Sequence, residues 1–164
     1  MPKTQKITTF LWFDDQAEEA AEFYVSIFKN SRISRVTRYD EEASKAAGRP
    51  TGSVMTVAFE LDGQQFTALN GGPVFKFTEA ISLVVNCEDQ KEVDHFWNKL
   101  AASGQEVQCG WLKDRFGVSW QVVPTALFEM LQSTDAERSK RAMAAMLKMK
   151  KLDIDALRRA YEGR

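Results

Sequence analysis

Two stretches of the chain repeat one another in kind and in order. In "LWFDDQAEEAAEFYVSIF" (Leu11 to Phe28) and "VVNCEDQKEVDHFWNKL" (Val84 to Leu100), an extended apolar run leads into Asp-Gln, then Glu, then Phe followed by Tyr or Trp. The two copies slip by one residue inside the helix. Each is followed by strand-like runs that end in a hairpin with a glycine turn, Asp62-Gly63 in the first half and Arg115-Phe116-Gly117 in the second. Two amphipathic helices can look alike by chance, but the match extends into the order of the elements that follow. A unit of type βαβββ that occurs twice constrains the fold more than any single residue does.

The elements of each unit are legible one by one. "ITTFLWF" is a strand by its β-branched and aromatic content. Asp15 and Glu18 stand at the N-cap and N3 positions of a helix whose apolar face is Ala17, Ala20, Ala21, Tyr24, Ile27 and Phe28, and Asn30 ends it. "SRISRVTRYD" is a second strand. "EEASKAAGRP", Glu41 to Pro50, is small, charged and turn-rich, which suits a mobile loop. "GSVMTVAFELDGQQFTALNGGP" is a hairpin. In the second half "EAISLVVNC" is a strand, Asp89 caps a helix with Val93, Phe96, Trp97 and Leu100 on its buried face, and Gly104 is placed as its C-cap. In "WLKDRFGVSWQVVP", alternation puts Ser119, Gln121 and Val123 on one side of a strand and Val118, Trp120 and Val122 on the other. Lys113, Asp114 and Arg115 form a solvated turn before it.

Composition bounds what such a chain does. At 164 residues, 44% hydrophobic and 27% charged, it has material for one well-buried unit rather than two large domains. A net charge of -1 gives no field to draw nucleic acid or an anionic membrane. No apolar run approaches a membrane span, and "MPKTQKITTF" lacks the apolar core of a signal peptide, so a cytoplasmic protein is expected. Cys87 and Cys109 fall in different predicted strands without metal-type spacing and are expected as reduced thiols. Cys109 as a nucleophile has no histidine to activate it. His95, the one histidine, lies on the polar flank of the second helix, where a surface role is expected rather than a ligand role.

The segments "FLWFDDQAEEAAEFYVSIFKNS", "FELDGQQFTALNGGP" and "CGWLKDRFGVSWQVVP" together resemble the PhnB-like branch of the vicinal oxygen chelate, or glyoxalase and bleomycin-resistance, superfamily. Many members of that branch carry the label 3-demethylubiquinone 3-methyltransferase. The resemblance runs from about Ile7 to Pro124, and the tail is family-like as well. It implies an α+β fold of two tandem βαβββ modules, about 7–73 and 80–124, with curved mixed sheets around a cavity and helices outside. The expected domains are a double-module domain, 1–133, and a C-terminal helical extension, 134–164. A shared fold argues activity only weakly.

Metal-using members of the superfamily take His, Gln or Glu ligands from the first and last strands of each module. Carried over, those positions fall at Thr8 and Ser82 on the first strands, at Gln121 on the last strand of the second module, and at Thr67 or Asn70 in the first. None is His or carboxylate, so a divalent ion would lack the donors that offset its dehydration, and neither metal nor cofactor is expected. Gln121 is then a former ligand position that offers hydrogen bonds. If Thr8 faces the cavity, so do Phe10, Trp12 and Asp14, while Ile7, Leu11 and Phe13 pack under the helices. Phe66, Asn70, Phe75 and Phe77 around "NGGPVFKF", with Cys109, Trp111, Lys113 and Gln121, complete the pocket candidates. Apolar walls with a few convergent polar groups suit a small-molecule pocket, although core filling is an alternative for every aromatic and helix capping for Asp14.

"NGGP" follows a strand but leads into Pro73 and an extended run, so it does not form the strand–turn–helix seat of a nucleotide-type cofactor. The tail places Ala142, Met143, Met146, Leu147 and Met149 on one stripe of a basic helix, with Leu152 and Leu157 flanking an Asp153 N-cap. Its "KMKK" sits among acids and suits a solvated face rather than nucleic acid. The expectation is a metal-free small-molecule-binding protein, unidentified in ligand, that pairs as a homodimer to cover open sheet edges. The competing classes are an enzyme, as metal-dependent lyase, dioxygenase or the labelled methyltransferase, and a dimeric interaction module with a vestigial cavity.

Overall fold

The computed structural model describes residues 4–164, and the chain divides after Phe77 into two compact units. Each unit is one βαβββ module built on the same plan, as the repeat requires.

In the first unit β1 (Thr9–Phe13), α1 (Ala17–Ile27), β2 (Arg32–Arg38), β3 (Val54–Leu61) and β4 (Gln64–Asn70) form a sheet in the order β1-β4-β3-β2. The Asp62-Gly63 hairpin, with both residues at positive φ as a tight primed turn demands, joins β3 to β4 antiparallel. β4 then runs parallel to β1, with Phe10 opposite Thr67 and Trp12 opposite Leu69. The alternation of β1 is as expected from Leu11 onward: Leu11 and Phe13 are buried and Phe10 is exposed. Ile7 departs from it, being 84% exposed, because the strand begins only at Thr9 and no described residue packs over its approach. Beneath α1, Tyr24 stacks on Phe59 and Phe59 on Phe66, with ring centroids 6.1 Å and 5.4 Å apart. Burying each such ring stabilises by roughly 2–3 kcal/mol. Phe66 is therefore a core residue on the helix side of the sheet, not a residue of the opposite face.

Two local readings change. The segment from Glu41 is not a loop: α2 (Glu41–Ala47) is capped by the Asp40 carboxylate, which accepts from the Ala43 N–H, and closed by left-handed Gly48. Its alanines and acidic first turn carry it. The start of α1 is not capped by Asp15. Its N-cap position is Gln16, whose side chain makes no cap, and the Ala17 N–H donates instead to Asn70 Oδ1 at 2.8 Å. Parallel pairing carries the end of β4 beneath the helix start, so the cap comes from 53 residues away.

The second unit comprises β5 (Ser82–Cys87), α3 (Gln90–Leu100), β6 (Gln105–Glu106), β7 (Trp111–Lys113) and β8 (Ser119–Pro124), in the sheet order β5-β8-β7-β6. Asp89 caps α3 through the Glu92 N–H, and Glu92 returns the bond to the Glu88 N–H. Val93, Trp97 and Leu100 are the fully buried face and Phe96 is only half-buried. Gly104 is not the helix C-cap. A Cβ there would overlap the Lys113 carbonyl, so close backbone approach, not a left-handed turn, selects glycine. Cys109 lies outside any strand, at φ 60°, where its N–H bonds the Met149 carbonyl.

The turn after β7 is not solvated throughout. Asp114 is 3% exposed and its carboxylate accepts from the Phe116 and Val118 N–H groups and from Trp120 Nε1. Three donors converging on one buried carboxylate fix the register of β7 and β8.

Beyond β8, α4 (Thr125–Leu131), α5 (Ala136–Met146) and α6 (Ile154–Glu162) close around Val123, Leu127, Met130, Ala142, Leu152 and Leu157. Asp153 caps α6 as expected, and Gln90 of α3 bonds both the Leu152 carbonyl and the Ile154 N–H. Met146 and Met149 pack against this cluster, leaving Met143 and Leu147 exposed on the stripe. Among the described residues no helix is long and apolar enough to cross a membrane.

Asp114→Ala leaves three donors without their acceptor and is expected to cost about 3 kcal/mol, read as an equal loss by chemical denaturation at unchanged m-value. Gly71→Ala drives a Cβ into the Trp12 ring and is expected to cost about 2 kcal/mol, whereas Gly72→Ala, at φ 89°, acts through backbone strain with its Cβ in ordinary contact. A Gly71→Ala protein as stable as the parent refutes that packing.

Candidate functional site

Each sheet has one face taken by its helix and one face left open, and the register assigns side chains to them. In the first unit the open face carries Phe10 and Trp12 from β1, Thr67 and Leu69 from β4, and Thr56 and Ala58 from β3. Thr8 lies just before β1 and is exposed. Of the two positions left open for the last strand of the first module, Thr67 is on this face and Asn70 is not. Asn70 is 5% exposed, caps α1 and donates its Nδ2 to the Val54 carbonyl, while its own carbonyl accepts from the Tyr39 hydroxyl.

Trp12 is the anchor of this face. Its Nε1 donates to the Gly72 carbonyl at 2.9 Å, its ring lies against Gly71, and Phe75 meets it edge-on at 4.8 Å. "NGGP" thus serves as a seat for an indole. Phe75 is 63% exposed, and Phe77 packs edge-on against Phe13, in an irregular segment rather than a strand. Asp14 lies 3.7 Å from Arg49, at the rim.

In the second unit the open face carries Ser82, Val84 and Asn86 from β5, Ser119 and Gln121 from β8, and Trp111 and Lys113 from β7. Val84 lies opposite Gln121, and Trp111 opposite Gln121 on its other side. Gln121 Nε2 donates to Ser82 Oγ at 2.9 Å. The two positions at which a metal ligand would stand in this module therefore bond each other. Lys113 pairs with Glu79 and holds the Glu79 carboxyl below its ordinary value, chiefly through their hydrogen bond. Ser119, absent from the sequence-based candidates, is 2% exposed, and its Oγ has no partner among the described residues. Alternation puts Ser119 on the Gln121 side, but its place between Ser82 and Lys113 and its burial come only from strand pairing.

These residues do not fit the divalent metal held by the metal-using members of the superfamily that the sequence resembles. Neutral hydroxyls and one engaged amide are weak donors for such an ion, and no three His, Cys, Asp or Glu among the described residues come together as a metal site. His95 is exposed and lies edge-on to Phe96. Burial pushes the Cys87 thiol up to about 12, with Glu92 and Asp89 adding to it, so it is no nucleophile at neutral pH. Cys109, partly exposed, is held in its turn by the bond from its N–H to the Met149 carbonyl. A separate cleft of about 410 Å³ lies on the first unit, where Asp15, Glu18, Glu19 and Glu22 face Arg49 and Asn70. It borders α1, not the open face.

Comparison with known proteins follows the same outline. The family model described as 3-demethylubiquinone-9 3-methyltransferase matches residues 5–123. A Bacillus cereus PhnB protein that carries the same family name is 40% identical, with 74% of this chain and 100% of that chain covered, at a TM-score of 0.66. Protein PA1353 from Pseudomonas aeruginosa is 18% identical, covering 74% and 98%, at 0.59. The fosfomycin resistance protein FosX from Listeria monocytogenes, solved with Mn(II) and sulfate, is 15% identical, covering 79% and 97%, at 0.52. The last two show the fold alone. No curated protein matches the chain. The α+β fold of two βαβββ modules, the extent of the family match and the 40% identical relative lead to one conclusion: the chain belongs to the 3-demethylubiquinone-9 3-methyltransferase family, the PhnB-like branch of the vicinal oxygen chelate superfamily.

Proposed function

We propose that this protein binds a small organic molecule on the open face of its second unit, through Ser82, Trp111, Lys113 and Gln121, and that binding needs no metal ion. The observation that carries the reading is the Gln121–Ser82 hydrogen bond. The residues at the superfamily's ligand positions bond each other instead of presenting a set of anionic or imidazole donors. Beside them stand an indole and an ammonium, an apolar wall and a polar anchor of the kind that orient small ligands. In the first unit Phe10, Trp12, Thr67 and Phe75 offer a corresponding aromatic surface.

Methyl transfer, the activity in the family name, draws less support from these residues. A nucleotide-type methyl donor is ordinarily held at a glycine-rich turn that opens a helix. Here Gly71 and Gly72 cradle Trp12, the chain continues without a helix to β5, and the next helix opens on the Asp89 carboxylate. Ligand screening by tryptophan fluorescence on chelator-treated protein tests the reading. Trp111→Ala and Gln121→Ala are each expected to weaken a hit by about tenfold, in line with the loss of a stacking surface or one charge-free hydrogen bond plus its orphaned partner. Hits that bind both folded variants unchanged, or only after metal is added back, refute it.

The same open faces support a homodimer. Ile7, Phe10, Val74 and Phe75 on the first unit, with Ile81 and Val84 on the second, are exposed large apolar side chains along sheet edges and faces. Two-fold pairing would cover them. Met146 and Met149 are already packed within the chain, so the tail stripe supplies less surface than its sequence promises. Light scattering at tens of micromolar is expected to give a dimer that Phe10→Glu dissociates and Leu147→Glu does not. A monomeric parent protein refutes the dimer.

A further inference from the structure

Two serine hydroxyls and a lysine ammonium line up across the open face of the second unit. Ser119 Oγ is buried without a partner among the described residues, and burying an unpartnered hydroxyl is costly enough that it signals something still to be bound. Ser119 lies directly between Ser82 and Lys113 across the ladder, opposite Ser82 on β5 and opposite Lys113 on β7, with all three side chains on one face. Ser82 accepts from Gln121, which leaves its own hydroxyl proton without an acceptor among the described residues. The Lys113 ammonium has three protons, and its ion-pair partner is Glu79, an exposed carboxylate in the segment before β5. Two hydroxyl donors and an ammonium in a row across three strands make a site for an oxyanion.

Taking the ligand-binding reading above as its basis, we propose that the ligand is a small aromatic carboxylic acid, whose carboxylate takes the place of Glu79 on Lys113 and receives hydrogen bonds from Ser119 and Ser82. Glu79 shows that a carboxylate reaches Lys113, and being largely solvent-exposed it is held by a weak pair that a ligand with further donors displaces. The lowered pKa of Glu79 agrees, since the pair favours the charged carboxylate. Trp111 stands two residues from Lys113 on β7, on the same face, a span of roughly 7 Å that a phenyl ring joined by a short linker to a carboxylate covers. Glu79 is then a built-in competitor: it keeps Lys113 paired until the acid arrives.

Phenylacetate and its neutral isostere phenylacetamide separate the charge from the shape. On the full-length protein, followed by tryptophan fluorescence and calorimetry, phenylacetate is expected to bind about tenfold more tightly than phenylacetamide, the factor that one charge-assisted interaction provides. Glu79→Gln is expected to tighten phenylacetate several-fold and leave phenylacetamide unchanged. Ser119→Ala is expected to weaken the acid only, and Lys113→Met to abolish the preference. Glu79 is exposed, so its variant tests the proposal even if Lys113→Met fails to fold. Equal binding of acid and amide, with Glu79→Gln without effect, overturns the carboxylate while leaving the binding face in place. Absence of phenylacetate binding to Glu79→Gln at millimolar concentration overturns it as well, and the fluorescence screen with Trp111→Ala and Gln121→Ala then decides the binding face independently.

Discussion

In both units the first strand lies parallel to the last, β1 beside β4 and β5 beside β8. The last strand is therefore central, with a strand on each edge, and it can reach that place only after the helix has crossed back over the sheet. Everything else in the unit answers to this pairing. It puts Asn70 beneath the start of α1, seats Tyr24, Phe59 and Phe66 in one stack, and brings Gln121 between Val84 and Trp111. It also leaves each sheet one face that its crossover helix, α1 or α3, does not cover.

The two units use that face differently. The first presents an indole fastened to the Gly71-Gly72 backbone, with aromatic and hydroxyl neighbours. The second presents hydroxyls, an amide and an ion pair beside Trp111. A carboxylate at position 121 would have put an anion beside the Ser82 hydroxyl at the ligand positions. The amide instead donates its Nε2 N–H to Ser82, so the two positions carry a neutral amide and a hydroxyl, weak donors for a divalent ion.

The repeat, the strands around it, the Asp89 and Asp153 caps and the Asp62-Gly63 hairpin were legible in the chain because each rests on residues a few positions apart. The parity of β1 and β8 was legible as well, since an alternating strand with one buried face declares its two sides. Phe66 and Asn70 were misplaced for the same physical reason that parity works at all. A shift of one residue in the starting point turns a strand over, and β4 follows a hairpin whose length the side chains alone do not settle. Glu41 to Ala47 looked like a loop because a short helix with no buried side chain has no apolar stripe to announce it.

By itself, then, the sequence determined the modules, their order and the faces of their first strands, all of which are local or periodic properties of the chain. Tertiary structure decided what depends on contacts between distant segments: the cap on α1 from Asn70, the closure of Gln121 on Ser82 across 39 residues, the burial of Asp114 under Trp120, and the unpartnered hydroxyl of Ser119. Hydrogen bonds and burial are satisfied in space, and only strand pairing says which side chains share it.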